Sequence, residues 1–287
     1  MIHFVGAGPG APDLITLRGA ELLKQADVVI YAGSLVNPVL LGLCREDCRI
    51  YNSAEMTLEQ VFEAFQAAER DGKRTVRLHT GDPSIYGAIR EQMDLLRAAD
   101  IPFDVTPGVS SFCGAAAAIP AEYTLPGISQ TVILTRMAGR TPVPQGQSIA
   151  ELARHGAAMV IFLSAGMLPK LQEELLRGAY TIETPAALVY KATWPEEKVV
   201  HTPLGKLAEA GKISGISKTA LVWWGISWAA PMTEAGSTIH PLPRNSGRPR
   251  YDHPAHFLYG SGSAAGKSLG GGAKRNGHAL RTAAVSG

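Results

Sequence analysis

Apolar and polar positions alternate between two textures along the first hundred residues. Short runs rich in β-branched and aromatic residues, at 2–5, 28–31, 49–51, 75–79 and 103–106, predict strands. Between them, segments 17–25, 57–71 and 86–98 carry apolar residues at helical spacing. In the second of these, Val61, Phe62, Phe65 and Ala68 form one stripe, which predicts a helix packed on a sheet. Strand and helix in strict alternation predict βαβ units and a mainly parallel sheet.

Residues 115–126 mix small side chains with two prolines and suit a junction, after which the pattern restarts. Strands are predicted at 131–135, 159–163, 186–190, 198–201 and 220–224, with helices at 148–155 and 168–177. The last strands follow one another closely, so the second sheet is expected to be partly antiparallel. Beyond residue 241, Pro, Gly, Ser and Arg dominate and apolar periodicity ends. The expected organisation is an α/β domain at 1–120, a second α/β domain at 121–240 and a weakly structured tail at 241–287.

Composition narrows the function classes. Of 287 residues, 46% are hydrophobic and only 18% charged, enough apolar material for two sheeted cores. A net charge of +2 predicts no general attraction to nucleic acid or membrane. Cys44, Cys48 and Cys113 make neither a disulfide framework nor a C-x-x-C pair, so they read as free thiols in a reducing cytoplasm. Neither a signal peptide nor a membrane-spanning run is evident. In the tail, Pro254 between His253 and His256 argues against a metal site, and the scattered basic residues read as solvated.

Candidate chemistry concentrates in three turns that leave predicted strands: Gly6 to Asp13, Thr80 to Gly87 and Pro107 to Ser111. In an open parallel sheet, the carboxyl ends of the strands face one crevice, where ligands bind. The first turn, V-G-A-G-P-G, follows a strand and precedes a helix, so a nucleotide-type cofactor is the first expectation. It also fits G-x-G-x-x-A through Gly6, Gly8 and Ala11, which raises a nicotinamide dehydrogenase as an alternative. Against that alternative, the second strand ends in Ala32, Gly33 and Ser34 with no ribose-binding acid, and Pro9 removes an amide donor. In the second turn, Asp82 suits either a cap on Tyr86 or a bond to ribose hydroxyls; Ser110 and Ser111 suit either caps or ligand contacts. No nucleophile and base stand at catalytic spacing.

These residues resemble a known family. The string from Val5 to Leu23, the G-D-P of Gly81 to Pro83 and the P-G-V-S-S of Pro107 to Ser111 look like the tetrapyrrole methylases, S-adenosylmethionine-dependent enzymes of cobalamin and sirohaem synthesis. The resemblance covers residues 1 to about 224. The strings at 31–36, 129–142 and 190–200 are similar to cobalamin-pathway members that methylate ring carbon C11 of a corrin precursor. It implies two α/β domains with the cofactor in the cleft between them, usually in a homodimer. The implied cofactor contacts are Pro9, Thr80, Gly81, Asp82, Ile85, Ser110 and Ser111 in the first domain and Leu163, Ala192, Thr219 and Ala220 in the second. The implied substrate is a ring edged with carboxylates, so Arg136 and Lys191, in family-matching loops beside Arg140, are expected to hold it. Sirohaem-type and C2/C7-type relatives carry an aspartate after the second strand, proposed as a base; Ala32 stands there, so no proton acceptor is carried over. Arg250 to Asp252 faintly resembles the closing R-x-Y-D element of relatives, and nothing functional is carried over from it.

Overall fold

A computed structural model describes residues 1–225, which belong to a single unit. The expectations for the tail, including Arg250 to Asp252, His253 and His256, fall outside the described residues.

The first sheet contains β1 (Ile2–Gly6), β2 (Val28–Tyr31), β3 (Arg49–Asn52), β4 (Thr75–His79) and β5 (Phe103–Thr106), in the order β3-β2-β4-β1-β5. Every pairing in it is parallel, as the alternating textures predict. Helices α1 (Leu17–Lys24), α2 (Leu58–Arg70), α3 (Arg90–Ala98) and α4 (Ser111–Ala118) follow the strands. Two apolar layers cover the sheet. Phe4 and Ile30 pack with Val61, Phe65 and Leu96 on one face, and Val5, Val29 and Leu78 with Leu23 and Leu40 on the other. Helix α2 starts at a capping box, Thr57 Oγ1 accepting from Gln60 N at 3.3 Å while Gln60 Oε1 accepts from Thr57 N at 2.8 Å.

The second sheet has β6 (Val132–Arg136), β7 (Ala158–Phe162), β8 (Pro185–Tyr190), β9 (Lys198–Pro203) and β10 (Ala220–Trp224), in the order β6-β7-β10-β8-β9. Only β6 and β7 pair in parallel; the other three pairings are antiparallel, so the sheet is mixed as expected. One face is covered by α5 (Ile149–Ala153), α6 (Leu168–Leu176) and α7 (Leu207–Ser214), which bury Leu171, Leu175 and Leu207 against Met159, Ile161 and Val222. On the other face, Val160, Val189 and Trp223 meet Ala115 and Ile119 at the end of α4. A helix that leaves the first sheet is thus built into the core of the second, and this joins the strand ends of the two halves.

Two elements differ from the pattern-based reading. The helix expected from Tyr86 begins at Arg90, because Tyr86 and Ala88 take φ of +56° and +51°. Gly87 there lies so close to Pro83 that a Cβ would sit 2.1 Å from its carbonyl oxygen. The segment folds back on its own loop, and that tertiary constraint overrides helical periodicity. Helix α7, which the pattern did not announce, is eight residues long and crosses α6 at Gly211, where a Cβ would meet Leu168 at 2.1 Å.

Candidate ligand cleft

The three glycine-bearing turns leave β1, β4 and β5, neighbours in the sheet, and meet backbone to backbone. Gly81 N donates to Gly8 O at 2.9 Å and Gly8 N to Gly81 O at 3.3 Å. A Cβ on Gly108 would lie 2.1 Å from Gly81 O, and one on Gly6 would lie 2.5 Å from Gly108 Cα. Glycine is required here by close approach. Asp82 ties the junction together: Oδ2 accepts from Gly108 N at 2.9 Å, and Oδ1 accepts from Ser84 N at 2.8 Å and from the Ser84 hydroxyl. Its carboxylate therefore bonds Ser84 and Gly108, not Tyr86. Burial pushes the Asp82 pKa up, but these bonds outweigh burial and leave it below the usual carboxylate value.

The glycine-rich turn has few amides to offer a ligand. Ala7 N donates to His79 O at 2.7 Å, Gly8 N to Gly81 O, and Ala11 N to Thr193 Oγ1 at 2.9 Å, while Pro9 has no N–H. Its carbonyls are taken as well, Pro9 O by Trp194 Nε1 at 3.1 Å and Gly10 O by Asn37 Nδ2 at 2.8 Å. Such a turn serves as a wall held by the second half of the chain. It is not a pyrophosphate cradle, and the dehydrogenase reading loses its main support.

That wall borders a cleft of about 660 Å³. All eleven residues expected to touch the cofactor line it: Pro9, Thr80, Gly81, Asp82, Ile85, Ser110, Ser111, Leu163, Ala192, Thr219 and Ala220. Ser110 sits at the start of α4 but makes no side-chain cap bond, so its hydroxyl is not spent on the helix. The Thr80 hydroxyl is buried without a hydrogen-bond partner among the described residues. Four non-glycine residues of the lining, Tyr86, Leu163, Lys191 and Thr219, have φ between +46° and +56°. Left-handed backbone at such residues costs on the order of 1 to 3 kcal/mol each and persists where the surroundings impose it. Leu163 is 68% exposed although apolar, so its strain presents a hydrophobic side chain to open space.

Of the two expected substrate contacts, Lys191 lines the cleft. Its Nζ lies 3.3 Å from Glu196 Oε1 and 5.2 Å from the centre of the Trp194 ring. Arg136 is not among the lining residues. Its guanidinium donates to the carbonyls of Met137, Thr141 and Pro142 at 3.1, 3.0 and 3.0 Å and so holds the 137–142 loop. Burial pushes up the pKa of Tyr86, a lining residue, and the charge of Arg136 acts against that rise. The cleft also contains side chains not named as contacts from the sequence, notably His79, Tyr86, Trp194 and Lys218. Tyr86 had a legible signal, standing inside the candidate turn Thr80 to Gly87, as had Trp194, inside the family-like string at 190–200.

Fold and site together define a two-sheet α/β protein whose ligand cleft lies where the strand ends of both halves meet. The chain belongs to the tetrapyrrole (corrin/porphyrin) methylases, whose family model matches residues 1–208. It is 51% identical over 221 residues to a cobalt-precorrin-4 C(11)-methyltransferase of Methanocaldococcus jannaschii, covering 77% of this chain and 85% of that one. A precorrin-4 C(11)-methyltransferase of Pseudomonas aeruginosa is 43% identical over 229 residues, with 80% and 91% covered. Among solved structures, a cobalt precorrin-4 methyltransferase matches with a TM-score of 0.78 at 44% identity, over 80% of this chain and 96% of that one. A uroporphyrin-III C-methyltransferase of Thermus thermophilus complexed with S-adenosylhomocysteine matches with a TM-score of 0.66 at 28% identity, over 78% and 96%.

Proposed function

We propose that this protein is an S-adenosylmethionine-dependent methyltransferase that methylates C11 of precorrin-4, in its metal-free or cobalt-bearing form, within cobalamin biosynthesis. The observation that carries this reading is the convergence on one cleft of all eleven residues that the family resemblance marks for the cofactor. The names borne by relatives at 43% and 51% identity support the substrate.

The residues of the cleft fit an adenosyl sulfonium. Ile85, Leu163, Ala192 and Ala220 offer apolar surface to a purine, and the hydroxyls of Thr80 and Ser110 lie beside them for ribose or carboxylate oxygens. When bound, S-adenosylmethionine supplies an electrophilic methyl group. The bond from ring carbon to methyl forms as the sulfur–methyl bond breaks; sulfur keeps the electron pair, and the ring gives up one proton to balance the charge. No residue need act as nucleophile, so the protein's task is to hold both reactants in line and exclude water, a contribution worth about 7 to 11 kcal/mol. In this reading Pro9, Asp82 and the turns they rigidify fix the cofactor. Lys191 meets the carboxylates of the ring from the wall, while Arg136, outside the lining and bonded to three carbonyls of its own loop, contributes positive charge from behind it. The same reading carries a cytoplasmic homodimer, with exposed Leu17 and Val39 on the contacting α1 and 38–43 segments as candidates for the subunit contact; sedimentation gives the subunit number. Among the described residues no helix is long and apolar enough to cross a membrane.

Isothermal titration tests the cofactor assignment. S-adenosylhomocysteine should bind at one site per chain, while nicotinamide adenine dinucleotide gives no heat. The reverse preference would return the protein to the dehydrogenase class.

A further inference from the structure

At the end of β4, one buried side chain has no place in the scheme above. His79 is only 3% exposed, yet it lines the cleft, and its Nε2 is buried without a hydrogen-bond partner among the described residues. A buried polar atom without a partner is costly in a folded protein, and a side chain that carries one at the wall of a ligand cleft calls for a reason. The ring is held in place, stacked on Phe4 with centroids 6.0 Å apart and planes 27° apart. It stands beside Ala32, whose N–H bonds the preceding carbonyl of Leu78, and Ala32 lines the cleft as well.

Two residues below, on the same face of the strand, lies Arg77. It is 6% exposed and donates to Gln92 Oε1 and to the Ile30 carbonyl, each at 3.0 Å. Both acceptors are neutral, and among the described residues no carboxylate pairs with Arg77. A buried cation without a counter-charge favours negative charge nearby. Burial and, second to it, the charge of Arg77 push the His79 pKa down to about 3, so the imidazole is neutral at physiological pH and has one N–H to donate.

We propose that His79 is a substrate-binding residue: its neutral imidazole donates a hydrogen bond to a carboxylate of the bound tetrapyrrole, with buried Arg77 supplying the favourable potential from beneath. This rests on the methyltransferase reading and adds to it a specific anchor on the β2–β4 side of the cleft. A neutral donor backed by a shielded cation orients a carboxylate without the large desolvation cost of an exposed ion pair. His79 is thereby distinguished from Lys191, which approaches from the opposite half of the chain.

The test compares wild type with His79→Phe, which keeps an aromatic ring on Phe4 but removes the donor, and His79→Gln, whose amide nitrogen reaches to about the same place. Three quantities are read: S-adenosylhomocysteine affinity by calorimetry, affinity of precorrin-4 and cobalt-precorrin-4 for the S-adenosylhomocysteine complex by anaerobic absorbance titration, and KM against kcat. H79F should bind the ring about tenfold or more weakly and raise KM by a similar factor, with S-adenosylhomocysteine affinity unchanged; H79Q should recover most of the loss. Equal ring affinity in H79F and wild type would overturn the assignment, as would a loss of S-adenosylhomocysteine affinity that accounts for the whole effect. If the wild type binds S-adenosylhomocysteine but neither ring, the substrate reading fails first and the role of His79 falls with it. If the wild type methylates the ring and H79F does so with unchanged KM, only the role of His79 falls.

Discussion

His79 also makes a claim about stability. An unfolded imidazole takes a proton near pH 6.5, whereas the folded one declines it until about pH 3, so between these values the unfolded chain holds more protons. The stability contributed by this depressed pKa is present above pH 6.5 and is lost progressively as pH falls toward 3. From pH 7 to pH 5 the loss from this one group is about 2 kcal/mol. Urea unfolding of wild type and H79Q at both pH values should show the variant losing less stability on acidification, by about that amount; parallel losses would mean that His79 is not buried neutral. None of this was legible in sequence, where His79 reads as the last residue of a strand. The missing partner and the cation two residues away exist only once the sheet is assembled. Asp82 is intermediate: a carboxylate in a G-D-P turn announces a local bond, but its bond to Gly108, 26 residues on, belongs to the fold.

Elements were legible where one face decides their conformation. Strands β1, β2 and β4 and helix α2 are set by runs and stripes of apolar residues that the fold buries on matching faces; β3, at the sheet edge, leaves Ile50 and Tyr51 exposed. Where contacts distant in sequence decide, the pattern misleads. Tyr86 to Ile89 carries helical spacing but folds against Pro83, and α7 is short and needs Gly211 to approach Leu168. The turns at Gly6, Gly81 and Gly108 were visible as glycines, but their mutual contact, which makes them one junction, was not. That junction is the most sensitive point of the scaffold. In Gly108→Ala the new Cβ would meet the Gly81 carbonyl at 2.1 Å, and backbone on both sides leaves no flexible side chain to yield. Thermal or urea unfolding should show a loss of about 1 to 3 kcal/mol or more, with weakened S-adenosylhomocysteine binding. By contrast, Gly72→Ala, at an open position with φ of +64°, should cost about 1 kcal/mol and leave binding intact. Equal effects at the two positions would contradict the account of the junction.

At the scale of the whole molecule, two unlike sheets share one cleft because α4 leaves the parallel sheet and packs on the mixed one, and because Thr193 and Trp194 return to hold the glycine-rich turn. The cleft is walled by loops from both halves, and hydrogen bonds close the turn that in a dehydrogenase would stay open for a pyrophosphate. The architecture suits a reaction in which two bound molecules are aligned and no side chain attacks. The central claim is that a methyl group passes from sulfur to carbon in this cleft. It is tested most directly by anaerobic incubation of the full chain with methyl-labelled S-adenosylmethionine and, in parallel, metal-free and cobalt-containing precorrin-4, with mass spectrometry of the ring product. The account predicts one labelled methyl per ring, located at C11, in at least one of the two reactions. Unlabelled rings in both, from a protein that binds S-adenosylhomocysteine, would contradict it.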